Sequence, residues 1–317
     1  MSVRVFIDGK EGTTGLRIFD RLADRPEFSL LTLPEDRRKD PAARQACLHE
    51  ADIAILCLPD AAAKESVALA QGSRARILDT STAHRVANGW AYGFPELSDT
   101  HLKAVMEGQY VAVPGCHASG FVALTAPLTQ AGLLPEDAQL SCFSLTGYSG
   151  GGRKMIAEYE TPKRSPSLDS PRQYGLSQGH KHLPEMQLVP GLRTPPVFAP
   201  VVADYYSGME VTVPLFRSQL RCGAHPMAEV TECLRAHYAG SRVVRVASEA
   251  DIEGMSGFIP AGGMSGRDDM LLMVLGNDER LQLVSLFDNL GKGSSGAAVQ
   301  CLNLMLGLDE TCGLKLA

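Results

Sequence analysis

Short apolar stretches alternate with helical patterns through the first 115 residues, and this order leaves the chain few possible folds. The strand-like stretches are residues 4–7, 28–33, 53–58, 76–79 and 110–113, and the helical ones are residues 14–22, 42–49 and 61–70. Strands that alternate with helices of about 8–12 residues are joined by right-handed crossovers, which produces a parallel sheet. The sequence therefore predicts a Rossmann-like, doubly wound α/β fold, in which ligands bind at the carboxyl ends of the strands.

The pattern changes after Cys116, which indicates a second domain over residues 116–293. The predicted helices there are residues 119–130 and 227–238, and the predicted strands are residues 138–146, 209–216, 270–276 and 281–287. Residues 147–200 are rich in Gly, Ser and Pro, and a loop this long in a compact domain is usually functional or partly structured. We expect an α+β domain on a mixed or antiparallel sheet. A helix over 294–306 is expected to return to the first domain, which then comprises residues 1–115 and 294–317.

Composition and charge exclude several classes of protein. A net charge of −6, from 30 basic and 36 acidic side chains, argues against a general nucleic-acid-binding protein. No apolar run reaches the roughly 18 residues that a membrane span needs, and the N-terminus leads directly into a strand pattern without a signal peptide. The eight cysteines contain no C-x-x-C pair and are interpreted as reduced thiols. We expect a cytoplasmic protein with no membrane and no nucleic-acid partner.

Gly9, Gly12 and Gly15 mark the first strand-to-helix turn, together with Thr13 and Thr14. A glycine-rich turn lets the backbone approach a pyrophosphate closely, and the helix that begins there offers free N–H groups and the positive end of its dipole. The spacing is G-x-x-G-x-x-G rather than the commoner G-x-G-x-x-G, so an ordinary tight turn is the alternative. We predict that these five residues bind a dinucleotide, which makes the first domain the dinucleotide-binding one.

The charges after the second strand bear on the choice between NAD and NADP. Folds that bind NAD usually place an acidic residue there for the ribose 2′-hydroxyl, whereas an Arg accommodates the 2′-phosphate of NADP. Here Glu35 and Asp36 precede Arg37 and Arg38. NADP is the preferred interpretation, with Arg37 and Arg38 as its ligands. NAD held by one of the acidic residues and a solvated charged loop are the alternatives.

Cys116 lies between a predicted strand end and the first turn of an apolar helix, within V-P-G-C-H-A-S-G at 113–120. A helix N-terminus lowers the pKa of a thiol and so favours the nucleophilic thiolate. The amides of the same turn can stabilise an oxyanion on a carbonyl that the sulfur attacks. An inert core thiol is the alternative for any intracellular cysteine. The Pro-Gly pair before Cys116 and the small residues after it favour an exposed, tightly turned cysteine.

A cysteine nucleophile needs an acid or base partner, and His180 and His182 are the candidates. Both lie in a polar, glycine-flanked segment, residues 174–185. If this segment is extended, the two side chains share one face and could share a metal ion. The sequence lacks a further H-x-x-E or C-x-x-C ligand set, so we predict no metal.

Two further segments have the composition of anion-binding loops. Residues 79–85 follow a predicted strand and carry hydroxyl groups and Arg85, and residues 147–153 form a glycine-rich turn that contains Ser149. Backbone amides in such turns form concave nests for anions, and Arg is suited to bidentate binding of phosphate or carboxylate. Solvated loops are the alternative for both segments.

Taken together, these motifs identify a resemblance that runs over nearly the whole chain. The matching motifs, in order, are the 9–15 turn, residues 79–85, W-A-Y-G-F-P-E at 90–96, P-G-C at 114–116, G-H-K-H-x-P-E at 179–185 and D-N-L-G-K-G at 288–293. The chain resembles the N-acetyl-γ-glutamyl-phosphate reductase family, within the semialdehyde dehydrogenase superfamily, and is most similar to its shorter type. The longer type usually has an aromatic residue and then a small-Thr pair after the cysteine, where this chain has His117, Ala118 and Ser119.

The resemblance implies NADPH-dependent reduction of an acyl phosphate to an aldehyde through a cysteine thioester, in arginine biosynthesis. It implies that Cys116 is the nucleophile and that His180 is the acid/base. The residues that would contact the substrate are Arg85, Ser149, Tyr174 and His182, and those near the nicotinamide would be Asn289, Lys292 and Gly293. The second domain would then carry the substrate and the oligomer contacts of a homodimer or homotetramer.

Three alternatives remain open from the residues. An aspartate-semialdehyde dehydrogenase would use the same chemistry on a β-aspartyl phosphate, and a reductase of carrier-bound aminoadipyl phosphate would use it in lysine synthesis. A non-catalytic NADP-binding regulator would keep the fold without a reactive thiol. The presence of both Cys116 and His180 argues against the regulator.

Overall fold

The computed structural model of the chain describes residues 2–317, which form two compact units. The first unit contains residues 2–114 and 294–314, and the second contains residues 115–293 and 315–317. Among the helices of residues 2–317, none is both long enough and apolar enough to cross a membrane.

The first unit is built on a six-stranded parallel sheet with the order β2-β1-β3-β4-β6-β5. Its strands are β1 (Val3–Asp8), β2 (Phe28–Leu31), β3 (Ile53–Leu56), β4 (Arg76–Asp79), β5 (Ala91–Tyr92) and β6 (Tyr110–Ala112), and its first four helices are α1 (Thr13–Ala23), α2 (Pro41–Glu50), α3 (Asp60–Leu69) and α4 (Asp99–Glu107). The central strand β3 is apolar and buried along its whole length because helices cover both faces of the sheet. The Rossmann-like fold class is confirmed.

A buried ion pair fixes the carboxyl end of β1. Arg44 of α2 donates from Nε to the Asp8 carboxylate at 3.1 Å, and Ser66 of α3 donates to the same carboxylate at 2.6 Å. Both charged residues are at most 5% exposed. Removing either partner would leave an unpaired buried charge. The network therefore ties two helices to the strand end from which the glycine-rich turn begins.

The second unit has a seven-stranded mixed sheet with the order β11-β12-β13-β10-β7-β9-β8. Its strands are β7 (Ser141–Gly147), β8 (Arg172–Gln173), β9 (Val197–Ala203), β10 (Met209–Phe216), β11 (Val244–Val246), β12 (Met270–Asn277) and β13 (Arg280–Phe287), and its helices are α5 (Cys116–Gln130), α6 (Gly152–Glu160), α7 (Leu183–Leu188), α8 (Pro226–His237) and α9 (Glu249–Gly254). The β7–β9 and β11–β12 pairs are parallel and the others are antiparallel, so the predicted α+β fold on a mixed sheet is confirmed.

The structure corrects two boundaries and fills the glycine-rich tract. The helix predicted from residue 119 begins at Cys116, because Gly115 serves as its N-cap and the small residues that follow are already helical. The strand predicted from residue 138 begins at Ser141. The tract 147–200 is partly structured, since α6, β8, α7 and the first residues of β9 lie within it.

After β13 the chain passes through a short π-helical segment, Gly291–Ser295, into α10 (Gly296–Met305). This last helix belongs to the first unit and packs on α4. Gln300 donates to Glu96 at 2.8 Å and to Glu310 at 2.9 Å, and Arg25 donates to Asn303 at 2.8 Å. These polar contacts hold the carboxyl-terminal segment against the parallel sheet's outer layer.

Helix α5 lies against the large sheet at a distance that only glycine permits. A Cβ added to Gly120 would lie 2.5 Å from Oγ of Ser285, 2.6 Å from Cγ2 of Val211 and 2.8 Å from Cε1 of Phe287. The hydroxyl of Tyr238, the C-cap residue of α8, donates to the carbonyl of Ala123 at 2.8 Å. The helix is therefore fixed between β10, β13 and α8.

We expect Gly120→Ala to lower the free energy of unfolding by about 1–3 kcal/mol, because the added methyl group overpacks the interface between α5 and the sheet. Gly254→Ala is the matched control, since a Cβ there meets no atom within 4 Å. That change should stabilise by about 0.4–1 kcal/mol. Urea unfolding of both variants measures the difference, and equal stabilities would contradict the close packing.

Candidate active site

Cys116 is the first residue of α5 and is partly exposed. Gly115 is the N-cap and supplies no side-chain cap, so no hydroxyl or carboxylate from that position occupies the first-turn amides of the helix. The amide of Gly115 donates to Oε2 of Glu185 at 2.9 Å. The positive end of the helix dipole favours an anion here, which suits a thiolate or an oxyanion.

The backbone at Gly293 passes directly beside the cysteine. A Cβ added to Gly293 would lie 2.9 Å from Cβ of Cys116 and 3.2 Å from the carbonyl oxygen of Asp288. The neighbouring Lys292 is 1% exposed. Any side chain at position 293 would therefore crowd the side chain of Cys116, which explains the glycine.

Three histidines and two other aromatic rings cluster around the start of α5. The ring centroids of His180 and His182 lie 4.8 Å apart, and those of His117 and His180 lie 5.7 Å apart. Tyr174 and Phe198 complete the cluster, at 5.9 Å and 5.1 Å from His180. The structure therefore brings the predicted residues Cys116, His180, His182 and Tyr174 into one region of the second unit.

The segment that carries His180 and His182 is a turn leading into α7, not an extended strand. The two rings nevertheless meet edge to face, and the backbone amide of His182 donates to Nδ1 of His180 at 3.2 Å. Since Nδ1 accepts, the proton of neutral His180 is on Nε2. Among residues 2–317, no three His, Cys, Asp or Glu side chains are grouped so that they could hold a metal ion.

His117, which follows the cysteine, is buried and hydrogen-bonded through both ring nitrogens. Its Nδ1 lies 2.7 Å from Oγ of Ser144, and its Nε2 lies 2.6 Å from the hydroxyl of Tyr174. Burial, and then the nearby His180 and Lys181, lower the pKa of His117 from 6.5 to about 3. Burial also raises the pKa of Tyr174, with a further contribution from Cys116. His117 and Tyr174 are therefore both neutral near pH 7.

Ser149 and Asn289, predicted to bind substrate and cofactor respectively, bond to each other. Nδ2 of Asn289 donates to Oγ of Ser149 at 3.0 Å, and its Oδ1 accepts from the amide of Gly208 at 2.9 Å. Both side chains are 2% exposed. This geometry makes Asn289 a support for Ser149 and for the turn at Gly208.

The first unit contains a cavity of about 300 Å³ at the carboxyl ends of β1, β2 and β3. Gly9 and Gly12 line it, and Gly9 adopts φ +89° with its Cα against the carbonyl of Cys57, where a Cβ would collide. Gly12 is the N-cap of α1 and supplies no side-chain cap. Oγ1 of Thr13 is buried without a hydrogen-bond partner among the described residues. Thr14 and Gly15 complete the first turn of α1, so the site fits the phosphates of a dinucleotide.

The structure separates the two arginines that were predicted to hold a 2′-phosphate. Arg38 and Lys39 line the cavity, together with Glu35, which lies 3.5 Å from Arg38. Arg37 is outside the cavity lining and pairs with Asp40 at 3.3 Å. The other cationic residues that line the cavity are Lys10 and Lys39, which the sequence analysis did not select.

Arg85 lies in the first unit, where backbone carbonyls hold its guanidinium. Its Nε donates to Val113 at 2.9 Å and its Nη2 donates to Thr80 at 3.1 Å, at the carboxyl ends of β6 and β4. Nearby, the buried Asp79 accepts from Ser81 at 2.7 Å and pairs with His84 at 2.6 Å, and the His84 ring stacks on Trp90. The loop 79–85 is therefore rigidly hydrogen-bonded and not a solvated loop.

Sequence reasoning missed two residues of the second unit's site, His117 and Glu185. Nothing in the local pattern distinguishes His117 from an ordinary core histidine, because its partners Ser144 and Tyr174 are 27 and 57 positions away. Glu185 is part of the G-H-K-H-x-P-E motif, yet the hydrogen bond that it accepts from the Gly115 amide forms only because the fold brings these two distant residues together.

Both units match family models of semialdehyde dehydrogenases. Residues 116–289 match the semialdehyde dehydrogenase dimerisation domain, and residues 35–105 match the semialdehyde dehydrogenase NAD binding domain. The chain therefore contains the domain through which this family forms oligomers.

Curated relatives are similar over nearly their whole length. A protein of Sinorhizobium medicae named N-acetyl-gamma-glutamyl-phosphate reductase is 44% identical, with 96% of this chain and 99% of that protein aligned. Proteins of the same name from Burkholderia ambifaria and Brucella anthropi are 45% and 46% identical, over 96% and 97% of this chain and 96% and 99% of theirs.

Solved structures share the fold at lower identity. Aspartate semialdehyde dehydrogenase II of Vibrio cholerae, complexed with ASA, has a TM-score of 0.72 at 16% identity, over 97% of this chain and 99% of that one. Aspartate semialdehyde dehydrogenase of Candida albicans, with NADP, has a TM-score of 0.68 at 15% identity, over 96% and 99%.

The buried, neutral His117 makes stability depend on pH. The unfolded chain binds a proton at this histidine near pH 6.5 while the folded chain does not until about pH 3, so stability falls as the pH drops between these values. We expect wild type to lose about 2–3 kcal/mol more than His117→Phe between pH 7 and pH 4.5. The groups that face His117 are His180, Lys181, His182, Tyr174 and Cys116.

Urea unfolding at the two pH values measures this difference. His225→Phe is the control, because that side chain is 78% exposed and its loss removes no buried histidine. Parallel pH dependence in wild type and His117→Phe would show that His117 is protonated in the folded protein.

Proposed function

Because the chain belongs to the N-acetyl-γ-glutamyl-phosphate reductase family of semialdehyde dehydrogenases, we propose that it reduces N-acetyl-γ-glutamyl phosphate to N-acetylglutamate semialdehyde with NADPH, in arginine biosynthesis. The observation that carries the proposal is Cys116 at the uncapped start of α5, beside His180 and Tyr174. This arrangement suits capture of an activated acyl group by sulfur.

The Cys116 thiolate attacks the acyl carbon, and phosphate leaves to give a thioester. The first-turn amides of α5 would stabilise the oxygen that becomes negative during this step, because no side chain of the N-cap residue Gly115 occupies them. NADPH, when bound, supplies the hydride that reduces the thioester. The resulting thiohemiacetal on Cys116 then collapses to the aldehyde and regenerates the thiolate.

His180 holds a proton at the reacting oxygen in this scheme. The amide of His182 keeps Nδ1 of His180 as an acceptor, so Nε2–H of the neutral ring can donate a hydrogen bond to the oxyanion formed by reduction. The proton stays on Nε2, and the oxyanion becomes the aldehyde oxygen as the carbon–sulfur bond breaks and the thiolate leaves. The backbone amide of His182 thus fixes the orientation of the His180 ring. The side chain of His182 would contact the substrate.

We propose cofactor-binding residues within each unit. Gly9, Gly12, Thr13, Thr14 and Gly15 would hold the pyrophosphate, since Thr13 presents an unsatisfied hydroxyl and the glycines leave room. Arg38 would hold the 2′-phosphate, with Lys39 in place of Arg37. Lys292 and Gly293 stay proposed neighbours of the nicotinamide because the backbone there adjoins Cys116, whereas Asn289 acts through Ser149.

The substrate and the assembly complete the proposal. Tyr174 and Ser149 would contact the acyl phosphate from the second unit, and Arg85 would supply a positive charge for its phosphate or carboxylate. The match to the dimerisation domain supports a homo-oligomer of two or four subunits. Cytoplasmic location is part of the same prediction.

The deciding experiment measures phosphate-dependent reduction of NADP with N-acetylglutamate semialdehyde, glutamate semialdehyde and aspartate semialdehyde. We expect the acetylated substrate to give the highest kcat/KM. Cys116→Ala should lose turnover by about 10⁴-fold or more while it still binds NADPH, because the covalent step is removed. Cys142→Ala, which removes a thiol buried in β7, should stay active.

Mass spectrometry of enzyme mixed with acyl phosphate in the absence of NADPH should find the acyl group on Cys116. Full activity of Cys116→Ala, or an adduct at another residue, would refute the mechanism. A preference for aspartate semialdehyde would refute the substrate.

The cavity geometry yields a separate prediction for the cofactor. Arg38→Gln and Lys39→Gln should each raise the KM for NADPH about tenfold and change that for NADH little, because one charge-assisted contact to the 2′-phosphate is worth roughly 1.5–3 kcal/mol at most. Arg37→Gln is the matched control and should leave both values unchanged. An effect of Arg37→Gln equal to that of Arg38→Gln would contradict the placement of Arg37 outside the cavity.

A further inference from the structure

The proposed mechanism gives no role to the hydrogen bonds that His117 makes with two neighbouring hydroxyl groups. Ser144 on β7 and Tyr174 bond to opposite nitrogens of this one ring, at 2.7 Å and 2.6 Å. Ser144 is fully buried and His117 is 3% exposed, so water does not replace either bond. The chain Ser144–His117–Tyr174 runs from the sheet to the region of Cys116.

A neutral imidazole donates through one nitrogen and accepts through the other, so the two hydroxyls must play opposite roles. Within residues 2–317, the only hydrogen bond of the Ser144 hydroxyl is the one to Nδ1 of His117. A buried hydroxyl proton without an acceptor is costly, which leaves Nδ1 as its acceptor. The ring proton is therefore on Nε2, and Nε2–H donates to the oxygen of Tyr174.

The direction of this chain determines what Tyr174 can do. Because the hydroxyl oxygen of Tyr174 accepts a hydrogen bond from His117, the hydroxyl proton of Tyr174 can be donated to another acceptor. The hydroxyl makes no other hydrogen bond within the described part of the chain. Tyr174 stays a neutral phenol, because burial and the adjacent Cys116 both raise its pKa. The reacting acyl group on Cys116 is the acceptor that the substrate brings to this place.

We propose that His117 is a positioning residue, which turns the hydroxyl proton of Tyr174 toward the carbonyl oxygen of the acyl group on Cys116. Tyr174 then donates a hydrogen bond that strengthens as negative charge develops on that oxygen. This inference rests on the proposed function, and it adds a specific donor to the helix amides and His180. No bond is made or broken by Ser144 or His117.

A double-mutant cycle tests whether His117 acts through Tyr174. Tyr174→Phe removes the donor, and we expect kcat/KM to fall about 10- to 100-fold, mainly through kcat. His117→Phe keeps a ring of similar size and should cause a loss no larger than that. The double variant should be no worse than Tyr174→Phe alone, because the single effects share one cause.

Two further variants separate positioning from packing. His117→Gln should recover part of the rate lost in His117→Phe, since its amide can donate to the Tyr174 oxygen. Ser144→Ala should lower kcat/KM about threefold or more, because it releases the ring to the other tautomer, and this loss should vanish when combined with Tyr174→Phe. Multiplicative losses in either double variant would overturn the proposal.

The tautomer can be measured without turnover. In protein labelled with ¹⁵N-histidine, the His117 signals are those lost in His117→Gln, and we expect the neutral ring protonated on Nε2 at pH 7. A ring protonated on Nδ1, or on both nitrogens, would overturn the proposal. Wild type that is inactive on all three semialdehydes would refute the proposed function instead, while the tautomer would still decide the direction of the hydrogen-bond chain.

Discussion

One hydrogen bond, from the amide of Gly115 to the buried carboxylate of Glu185, joins the two segments that carry the proposed reacting groups. Gly115 precedes Cys116 at the start of α5, and Glu185 lies in the first turn of α7, directly after the turn that holds His180 and His182. Charge-assisted bonds of this kind are short and strong. Because Gly120 fixes α5 against the sheet, the same bond positions the histidine turn relative to the sulfur.

In the rings near Cys116, burial and hydrogen bonds determine which atoms carry protons. Burial keeps His117 uncharged, and burial together with the nearby sulfur keeps Tyr174 uncharged. The tautomer of His180 is set by a backbone amide, which does not titrate. Neutral hydrogen-bond donors interact more strongly with an oxygen once negative charge develops on it than with the uncharged carbonyl oxygen of the bound substrate. Interactions that are stronger in the transition state than in the ground state are the ones that raise kcat. The positive end of α5 then serves the sulfur itself.

The parts of the structure that follow from local pattern were predictable from the sequence, and those that depend on long-range pairing were not. The span predicted for β10 is the one observed, since its alternation matches a half-buried strand. Helix α4 was missed although Ser98 caps it, and α6 was missed because it begins within the glycine-rich tract and most of its residues are exposed. Cys116 stood out through its turn residues. The roles of His117 and Lys39 arise only where distant segments meet.

The two proposed anion sites share one feature, a glycine at the N-cap position of the helix that begins there. Helices α2, α4 and α9 are capped by the side chains of Asp40, Ser98 and Ser248, which accept hydrogen bonds from first-turn amides. Helices α1 and α5 instead begin after Gly12 and Gly115, which have no side chain to accept one. A capping side chain in place of glycine would stabilise a helix by only about a few tenths of a kcal/mol, and it would occupy the amides that a pyrophosphate or an oxyanion needs. Glycine at these two positions therefore gives up helix stability in exchange for amides that can bind the cofactor and the reacting acyl group.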